Sequence, residues 1–227
     1  MQAVILAAGR GERMGKLTEN CPKPMLLIKN KPKLAWTLEN LPEEISEVIL
    51  IIGYLGEQIK NFFGKNYAGR KIKYVEQEKL NGSAGAVQLA QSLIKSKFLV
   101  LMGDDLYLKS DLEKMLKEDW AILVKEVLEA EKFGLVSQDK NGYLTGVVER
   151  PHNQKEGLIN TGAYVLQPEF FQAKLVPISE TEYGLPQTLV SMYPKYKTSL
   201  IKATKWQSVG SPEDLKSAEK KIWEFIG

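Results

Sequence analysis

Three apolar runs of strand length constrain the fold of this chain more than any other feature of its sequence. They are Gln2–Leu6, Val48–Ile52 and Phe98–Met102. In each run apolar side chains follow one another without alternating with polar ones, which is typical of strands buried on both faces of a parallel sheet. The three runs therefore predict the centre of a parallel β-sheet that is covered by other elements on both faces.

Helical patterns separate these runs. Helices are predicted at Leu34–Leu41, Gly56–Phe63 and Ser83–Ile94, and Lys71–Glu76 alternates polar and apolar residues like a strand nearer an edge. The resulting βαβαβαβ order predicts an α/β fold, a doubly wound, Rossmann-like sheet that is mixed but mostly parallel.

The second half of the chain is rich in strands and is predicted to extend the same sheet, so that residues 1–227 form one domain. A tight turn is expected at Asp139–Gly142, where Asn-Gly supplies the positive φ of a hairpin. A terminal helix should begin at Ser211, which is followed by proline and two acids. The strands predicted here are Ala121–Val127, Gly134–Gln138, Tyr143–Glu149, Leu158–Leu166 and Lys197–Lys202, with short helices over Ser110–Lys117 and from Pro168.

Composition excludes several classes of function. The formal net charge is +3, which is too small to indicate a nucleic-acid or membrane partner. Cys21 is the single cysteine, so it has no thiol partner for a disulfide or a zinc site. Neither a signal peptide nor a membrane-spanning run is evident, and a cytoplasmic location is expected.

A glycine-rich loop follows the first predicted strand. Its residues Leu6-Ala7-Ala8-Gly9-Arg10-Gly11 can present bare N–H groups, because glycine accepts φ > 0, and such a loop can bind an anion. Arg13 and Lys23, the latter between two prolines, would add two cations. The loop is not a P-loop, because the chain has no G-x-x-x-x-G-K-[ST] there. It is not a dinucleotide fingerprint either, because Met14 occupies the place of the third glycine. The combination predicts a polyphosphate site.

Two further segments should lie at the same edge of the sheet, since ligands bind outside the carboxyl ends of parallel strands. Asn81–Gly85 opens a predicted helix, and Gly103-Asp104-Asp105 ends an apolar strand. A carboxylate beside a polyphosphate is typical of a magnesium site, and Asp104 is the predicted ligand. Asp105 is interpreted instead as a solvated residue capping the helix that follows.

Taken together, these motifs resemble those of the sugar-phosphate nucleotidylyltransferases, and the resemblance covers nearly the whole chain. Seven segments match in order. They are Leu6–Met14 (L-A-A-G-x-G-x-R), Lys23-Pro24-Met25 (K-P-M), Gln77 with Gly82, Gly103-Asp104 (G-D), Glu149-Arg150-Pro151 (E-K-P), Asn160-Thr161-Gly162 (N-[TA]-G) and Trp206–Pro212 (W-x-D-V-G-T-P).

The resemblance implies that a nucleoside triphosphate and a sugar 1-phosphate react to give a nucleotide-sugar and pyrophosphate, with Mg²⁺ as cofactor. It implies a nucleotide-binding half over residues 1–110 and a sugar-phosphate-binding half over 111–227. The implied catalytic residues are Arg13, Lys23 and Asp104, with Asp104 as the metal ligand. The implied nucleotide-binding residues are Leu6, Ala8, Gly9, Gly11, Gln77, Gly82 and Ser83, and the implied sugar-phosphate-binding residues are Gly134, Glu149, Arg150 and Asn160.

The chain departs from the family pattern at three points. Ser208 stands where the family has an aspartate that would be a second metal ligand, and a hydroxyl is a poorer magnesium ligand than a carboxylate. Arg150 replaces a lysine but keeps its charge. The β-helix domain carried by some bifunctional members is not expected, nor is acyltransferase activity.

Several alternatives stay open at this stage. Gln77, five residues before Gly82, favours UTP or dTTP over other triphosphates. A mannose-1-phosphate guanylyltransferase, a cytidylyltransferase acting on a phosphorylated alcohol, and a non-catalytic nucleotide-sugar sensor are the alternatives, the last suggested by Ser208. The oligomeric state is not predicted, and no role is assigned to His152.

Overall fold

A computed structural model describes residues 1–225 of the chain. Its strands are β1 (Gln2–Ala7), β2 (Leu27–Ile28), β3 (Lys31–Pro32), β4 (Glu47–Ile52), β5 (Asn66–Tyr67), β6 (Arg70–Glu76), β7 (Phe98–Met102), β8 (Asp105–Tyr107), β9 (Ala121–Val127), β10 (Leu135–Gln138), β11 (Leu144–Val148), β12 (Gly157–Leu166), β13 (Val176–Pro177), β14 (Tyr183–Gly184), β15 (Ser199–Lys202) and β16 (Trp206–Ser208). Its α-helices are α1 (Lys33–Glu39), α2 (Gly56–Phe63), α3 (Gly82–Gln88), α4 (Lys109–Met115), α5 (Leu185–Met192) and α6 (Pro212–Lys221). Short 3-10 segments lie at Glu12–Thr18, Lys23–Met25, Gln91–Leu93, Ala130–Lys132, Pro168–Gln172 and Ile222–Glu224.

Ten of these strands form one sheet, in which β1 lies at the centre. β1 pairs in parallel with β4 on one side and with β7 on the other, and β4 pairs in parallel with β6. The second half of the chain joins through β12, which runs antiparallel to β7, β9 and β10. Seven strands (β1, β4, β6, β7, β9, β10 and β15) therefore run one way and three (β5, β11 and β12) the other. The predicted α/β fold with a mixed, mostly parallel sheet is confirmed.

The core occupies both faces of this sheet, as the apolar runs predict. Along β1, Ala3 and Ile5 pack into one apolar cluster and Val4 packs into the other, because successive side chains of a strand point to opposite faces. Helices α1, α2 and α4 cover the first face, and α3 and α5 cover the second. Both faces of the sheet are thus covered at its centre, which leaves the ends of the strands open to a ligand.

The helix predicted over Ser83–Ile94 is shorter in the structure. α3 ends at Gln88, and a 3-10 turn over Gln91–Leu93 follows. The chain turns at the fully buried Ala90, whose carbonyl accepts from the N–H groups of Leu93 and Ile94. The side chain of Gln2 then binds the Leu93 carbonyl and the Lys95 N–H, which fastens this connection to β1.

Several short pairings carry no local signal in the sequence. β8 pairs antiparallel with β16, so that Tyr107 lies opposite Trp206 and Asp105 opposite Ser208. Two-residue strands pair as hairpins between β2 and β3 and between β13 and β14, and α5 was not predicted. Strands of two or three residues are too short to show a periodicity.

The predicted turn and terminal helix are confirmed. The Asp139 carboxylate accepts from the N–H groups of Asn141 and Tyr143, and Gly142 has φ of 82° between β10 and β11. Ser211 and Asp214 form a reciprocal capping box at the start of α6. Within the described residues, no helix is both long and apolar enough to cross a membrane.

Asp111 on α4 provides a test of how the segment between β15 and β16 is held. Its carboxylate has no exposed surface and accepts from Thr204 N at 2.5 Å, Thr204 Oγ1 at 2.8 Å and Lys205 N at 3.2 Å. Asp111→Ala leaves these donors without a partner, so we expect the free energy of unfolding to fall by about 2–3 kcal/mol in urea titrations. Glu113→Ala on the same helix is the control, and equal unfolding midpoints for the two variants would contradict this account.

Candidate active site

A crevice opens at the carboxyl ends of β1 and β7, beside the start of α3. Its volume is about 510 Å³. It contains every residue predicted to bind the nucleotide or to act in catalysis: Leu6, Ala8, Gly9, Gly11, Arg13, Lys23, Gln77, Gly82, Ser83 and Asp104. Adjacent parallel strands bring their carboxyl ends to one edge, which explains why segments about 95 residues apart in the chain meet here.

The glycine loop forms one wall of this crevice. The N–H groups of Gly9, Arg10 and Gly11 bind no acceptor within residues 1–225, so they are available to an anion. Gly11 has φ of 71°, and a Cβ there would lie 2.9 Å from the Cβ of Lys23. Only glycine therefore allows the loop to pack against the lysine. The exposed Arg13 guanidinium lies across Gly210 at the mouth.

Lys23 and Asp104 form an ion pair inside the crevice, between the Lys23 Nζ and the Asp104 Oδ2. The lysine side chain is 9% exposed and the aspartate side chain 30%. Burial alone would raise the pKa of Asp104, but the positive charges of Lys23 and Lys33 lower it below its usual value. Asp104 is therefore a carboxylate at neutral pH, with its other oxygen facing no donor within the described residues.

Asp105 is not the solvated helix cap that the sequence suggests. It lies in β8 and is buried, and α4 begins only at Lys109 with Leu108 as its cap. Its carboxylate accepts from the Trp206 indole at 3.1 Å and from Val209 N at 3.4 Å. Burial first, and the neighbouring Asp104 second, raise the pKa of Asp105 to about 7. Both oxygens are engaged, so Asp105 ties β8 to the segment that carries Ser208.

Lys33 is the fourth ionisable residue of this cluster, and no pattern in the sequence indicated it. It is the first residue of α1, its side chain is fully buried, and its Nζ has no hydrogen-bond partner. Burial lowers the pKa of Lys33 to about 8, against the opposing effect of the Asp104 charge. Such a residue at the start of an apolar helix would ordinarily be assigned to the surface.

The far end of the crevice is formed by Gln77 and α3. Gln77 is buried rather than solvated, and its Nε2 donates to Asn81 Oδ1 at 2.9 Å. Gly82 has φ of 83°, and a Cβ there would lie 2.4 Å from the Tyr183 carbonyl oxygen. The β13–β14 hairpin therefore packs directly on the start of α3, and Tyr183 N donates to Asn81 O at 2.9 Å.

A second cavity of about 260 Å³ adjoins the first and shares Ser83 and Met102 with it. Two of the residues predicted to bind sugar phosphate, Glu149 and Asn160, line this cavity. The Asn160 amide is fixed because it donates to the Tyr164 hydroxyl at 2.7 Å and its Oδ1 accepts from Gly162 N at 2.9 Å. The cavity is polar on this wall.

The other two predicted sugar-phosphate residues lie outside the walls of both cavities. Gly134 supports the site from behind, since its carbonyl accepts from Asn160 N at 3.0 Å and the Glu149 carboxylate packs against its Cα. Arg150 is exposed, and its Nη1 lies 3.5 Å from the Lys132 carbonyl oxygen. A role for Arg150 in gripping a phosphate stays a prediction that this arrangement does not support.

Sequence reasoning also missed groups that line these cavities. Gln187 on α5 donates from Nε2 to Glu149 Oε1 at 2.7 Å in the second cavity. Glu182 on the β13–β14 hairpin lines the first. Both come from elements that only the tertiary structure reveals, so no local pattern could have indicated them.

The donor set would fit a magnesium ion whose remaining ligands are phosphate oxygens and water. Among residues 1–225 no group of three or more His, Cys, Asp or Glu side chains is arranged to hold a metal. Mg²⁺ needs only one or two carboxylates when phosphate oxygens and water complete its shell. Asp104, partly exposed in the crevice and with one free oxygen, could supply such a ligand. Asp105 is a poorer candidate, because it is buried and each of its oxygens already accepts a hydrogen bond.

A mostly parallel sheet with a cationic glycine loop, a carboxylate and a polar cavity at its carboxyl edge defines an α/β protein that binds ligands at the carboxyl ends of its strands. The model of the Nucleotidyl transferase family matches residues 2–224, and the chain belongs to this family.

Three relatives illustrate this membership. The chain is 37% identical over 229 residues to the bifunctional protein GlmU of Methanocaldococcus jannaschii, covering 100% of this chain and 55% of that protein. It is 31% identical over 236 residues to the UTP–glucose-1-phosphate uridylyltransferase AglF of Haloferax volcanii, covering 99% and 97%. The crystal structure of HddC from Yersinia pseudotuberculosis complexed with GMP-PN superposes with a TM-score of 0.74 at 25% identity, covering 97% of this chain and 99% of that one. The chain thus spans about half the length of the GlmU relative and nearly all of the other two.

The raised pKa of Asp105 gives a pH-dependent prediction. A carboxyl with a folded pKa of about 7 contributes stability that is full below its unfolded pKa, near 4, and lost as pH rises towards 7. We expect the free energy of unfolding of the wild type to fall by about 2 kcal/mol more than that of Asp105→Asn between pH 5 and pH 8. Urea titrations at both pH values measure this, and parallel pH profiles would contradict the assignment.

Proposed function

We propose that the protein condenses a nucleoside triphosphate with a sugar 1-phosphate, releasing pyrophosphate. The observation that carries this proposal is the pair of adjoining cavities. One is lined by a glycine loop, Arg13, Lys23 and Asp104, and the other by Glu149 and Asn160. A reaction between two bound phosphates needs two adjoining sites, and Ser83 and Met102 line both cavities.

The chemistry assigned to the site is an in-line displacement. An oxygen of the sugar phosphate attacks the α-phosphorus, the bond from that phosphorus to the bridging oxygen breaks, and pyrophosphate leaves with the bond electrons. Positioning and charge stabilisation lower the barrier, and no covalent intermediate with the protein is needed. The free N–H groups of the glycine loop and Arg13 would bind the triphosphate, and Lys23 would move from Asp104 to the α-phosphate.

Mg²⁺ is proposed as the cofactor, held by Asp104 together with substrate oxygens. A bound magnesium ion withdraws charge from the phosphate oxygens and helps to align them for attack. The partly exposed Asp104 carboxylate, with one oxygen free of other donors, supports this assignment.

UTP or dTTP is proposed as the nucleotide. Gln77 Nε2 is engaged by Asn81, which leaves Gln77 Oε1 as an acceptor for the N3–H group of uracil or thymine. The similarity to a UTP–glucose-1-phosphate uridylyltransferase supports the same choice and makes glucose 1-phosphate the first sugar to test. A guanine nucleotide is the alternative, and the HddC complex with GMP-PN is the observation that favours it.

A panel assay tests activity and base choice together. With Mg²⁺, the purified protein is offered UTP, dTTP, GTP, CTP and ATP, each with the 1-phosphates of glucose, N-acetylglucosamine and mannose. We expect pyrophosphate release with UTP or dTTP and at least one sugar. Release with GTP alone would overturn the base assignment. Silence for every pair, with nucleotide-sugars still binding in calorimetry, would favour the sensor that Ser208 suggests.

The role of Asp104 is tested by Asp104→Asn. The neutral amide is a poor magnesium ligand and also breaks the ion pair with Lys23, so we expect kcat to fall at least about 100-fold with the fold intact by circular dichroism. Asp119→Asn is the matched control, because Asp119 is exposed and lies before β9, at the opposite edge of the sheet. Unchanged turnover of Asp104→Asn would exclude the assignment.

A further inference from the structure

The buried ammonium of Lys33 is the charged group for which the proposed reaction gives no role. It has no exposed surface and no hydrogen-bond partner within the described residues. An unpaired charge in a protein interior is strongly unfavourable, because burial removes its hydration and nothing replaces it. A methionine would fill much of the same space without this cost. The position of Lys33 therefore requires an explanation from function or from a partner that arrives later.

The position of α1 places Lys33 close enough to the Lys23–Asp104 ion pair for both charges to act on it. Lys33 N donates to Leu26 O at 2.9 Å, which fastens the start of α1 beside the Lys23–Met25 turn. Directly after the last residue of α1, Asn40 Nδ2 donates to Tyr107 O at 2.8 Å, so α1 runs along β8. Lys33 thus lies between the segment that carries Lys23 and the segment that carries the aspartates.

Asp104 is the carboxylate that can accept a hydrogen bond from the Lys33 ammonium. The two oxygens of Asp105 already accept from the Trp206 indole and from Val209 N. Asp104 has a single donor, Lys23, on Oδ2. Its charge also raises the pKa of Lys33 more than the charge of Asp105 does. If Lys23 moves to a phosphate, Asp104 loses that donor. Within the described residues, Lys33 is the unpartnered lysine whose charge, after that of Lys23, lowers the pKa of Asp104 most.

We propose that Lys33 is a positioning residue that takes over the Asp104 carboxylate when Lys23 leaves it for the triphosphate. One carboxylate oxygen would then accept from the Lys33 ammonium, and the other would face the metal ion. Carboxylates that hold metals are commonly oriented by such a donor behind them. Because Ser208 offers no second carboxylate, the orientation of Asp104 matters more here. This inference rests on the proposed function, which supplies the triphosphate and the metal.

The test compares Lys33→Met and Lys33→Gln with the wild type. Methionine keeps the side-chain volume without charge or donor, whereas glutamine keeps a weaker, neutral donor. We expect kcat to fall at least tenfold in Lys33→Met and less in Lys33→Gln, with KM for the sugar 1-phosphate within twofold. The melting temperature of the substrate-free Met variant should be equal to or above that of the wild type, since an unpaired buried charge is removed.

A second readout does not depend on turnover. Mn²⁺ binding is followed by electron paramagnetic resonance, with the ion alone and with a non-hydrolysable UTP analogue. Loss of orientation at Asp104 should weaken Mn²⁺ binding several-fold in Lys33→Met when the analogue is present. Mere removal of a positive charge would instead tighten it, so tighter binding would overturn the proposal.

Lys97→Met is the matched control. Lys97 donates to the carbonyls of Leu116 and Glu118 at 3.0 and 3.1 Å, at the opposite end of β7. The Lys97→Met substitution should lower the melting temperature and leave kcat and Mn²⁺ binding unchanged. Wild-type kcat in Lys33→Met would refute the positioning role. If Lys33→Met does not fold, wild-type kcat and Mn²⁺ affinity in Lys33→Gln would refute it equally. An inactive wild type would instead count against the proposed function itself.

Discussion

The ion pair between Lys23 and Asp104 depends on the pairing of two parallel strands and in turn organises the crevice. Lys23 follows β1 and Asp104 follows β7, and these strands are direct neighbours at the centre of the sheet. Their carboxyl ends bring opposite charges from distant parts of the chain into contact. Without the pair, each charge would be partly buried with no partner, which a protein interior tolerates poorly. The pair therefore balances two partly buried charges within the crevice.

The charge balance extends beyond that pair to two more residues. Asp105 and Lys33 lie in the same interior, so the cluster holds two acids and two lysines. Asp105 serves the architecture, because its hydrogen bonds hold β8 against Trp206 and Val209. Adjacent aspartates in the sequence thus have different surroundings, one open to the crevice and one enclosed. Burial and hydrogen-bond donors, rather than residue type, determine that difference.

The sheet and the nucleotide side of the site were accessible from sequence, because they depend on local patterns. Continuous apolar runs indicated β4 and β7, and the glycine loop with Arg13 and Lys23 led to the walls of the crevice. Asp105 was misread, since its surroundings come from β16, about 100 residues later in the chain. Lys33 and Gln187 were missed for the same reason. Their environments are created by packing between elements that no window of sequence contains.

The two walls of the crevice are fastened very differently. On the side of Gln77, the start of α3 is locked to the β13–β14 hairpin, because Tyr183 N donates to Asn81 O and Leu185 N donates to the Ser83 hydroxyl. On the other side, Gly9, Arg10 and Arg13 are exposed, and the loop N–H groups bind nothing in the described chain. One wall of the crevice is thus held in place by hydrogen bonds to the hairpin. Adjustment to an incoming molecule therefore falls to the glycine loop on the other wall.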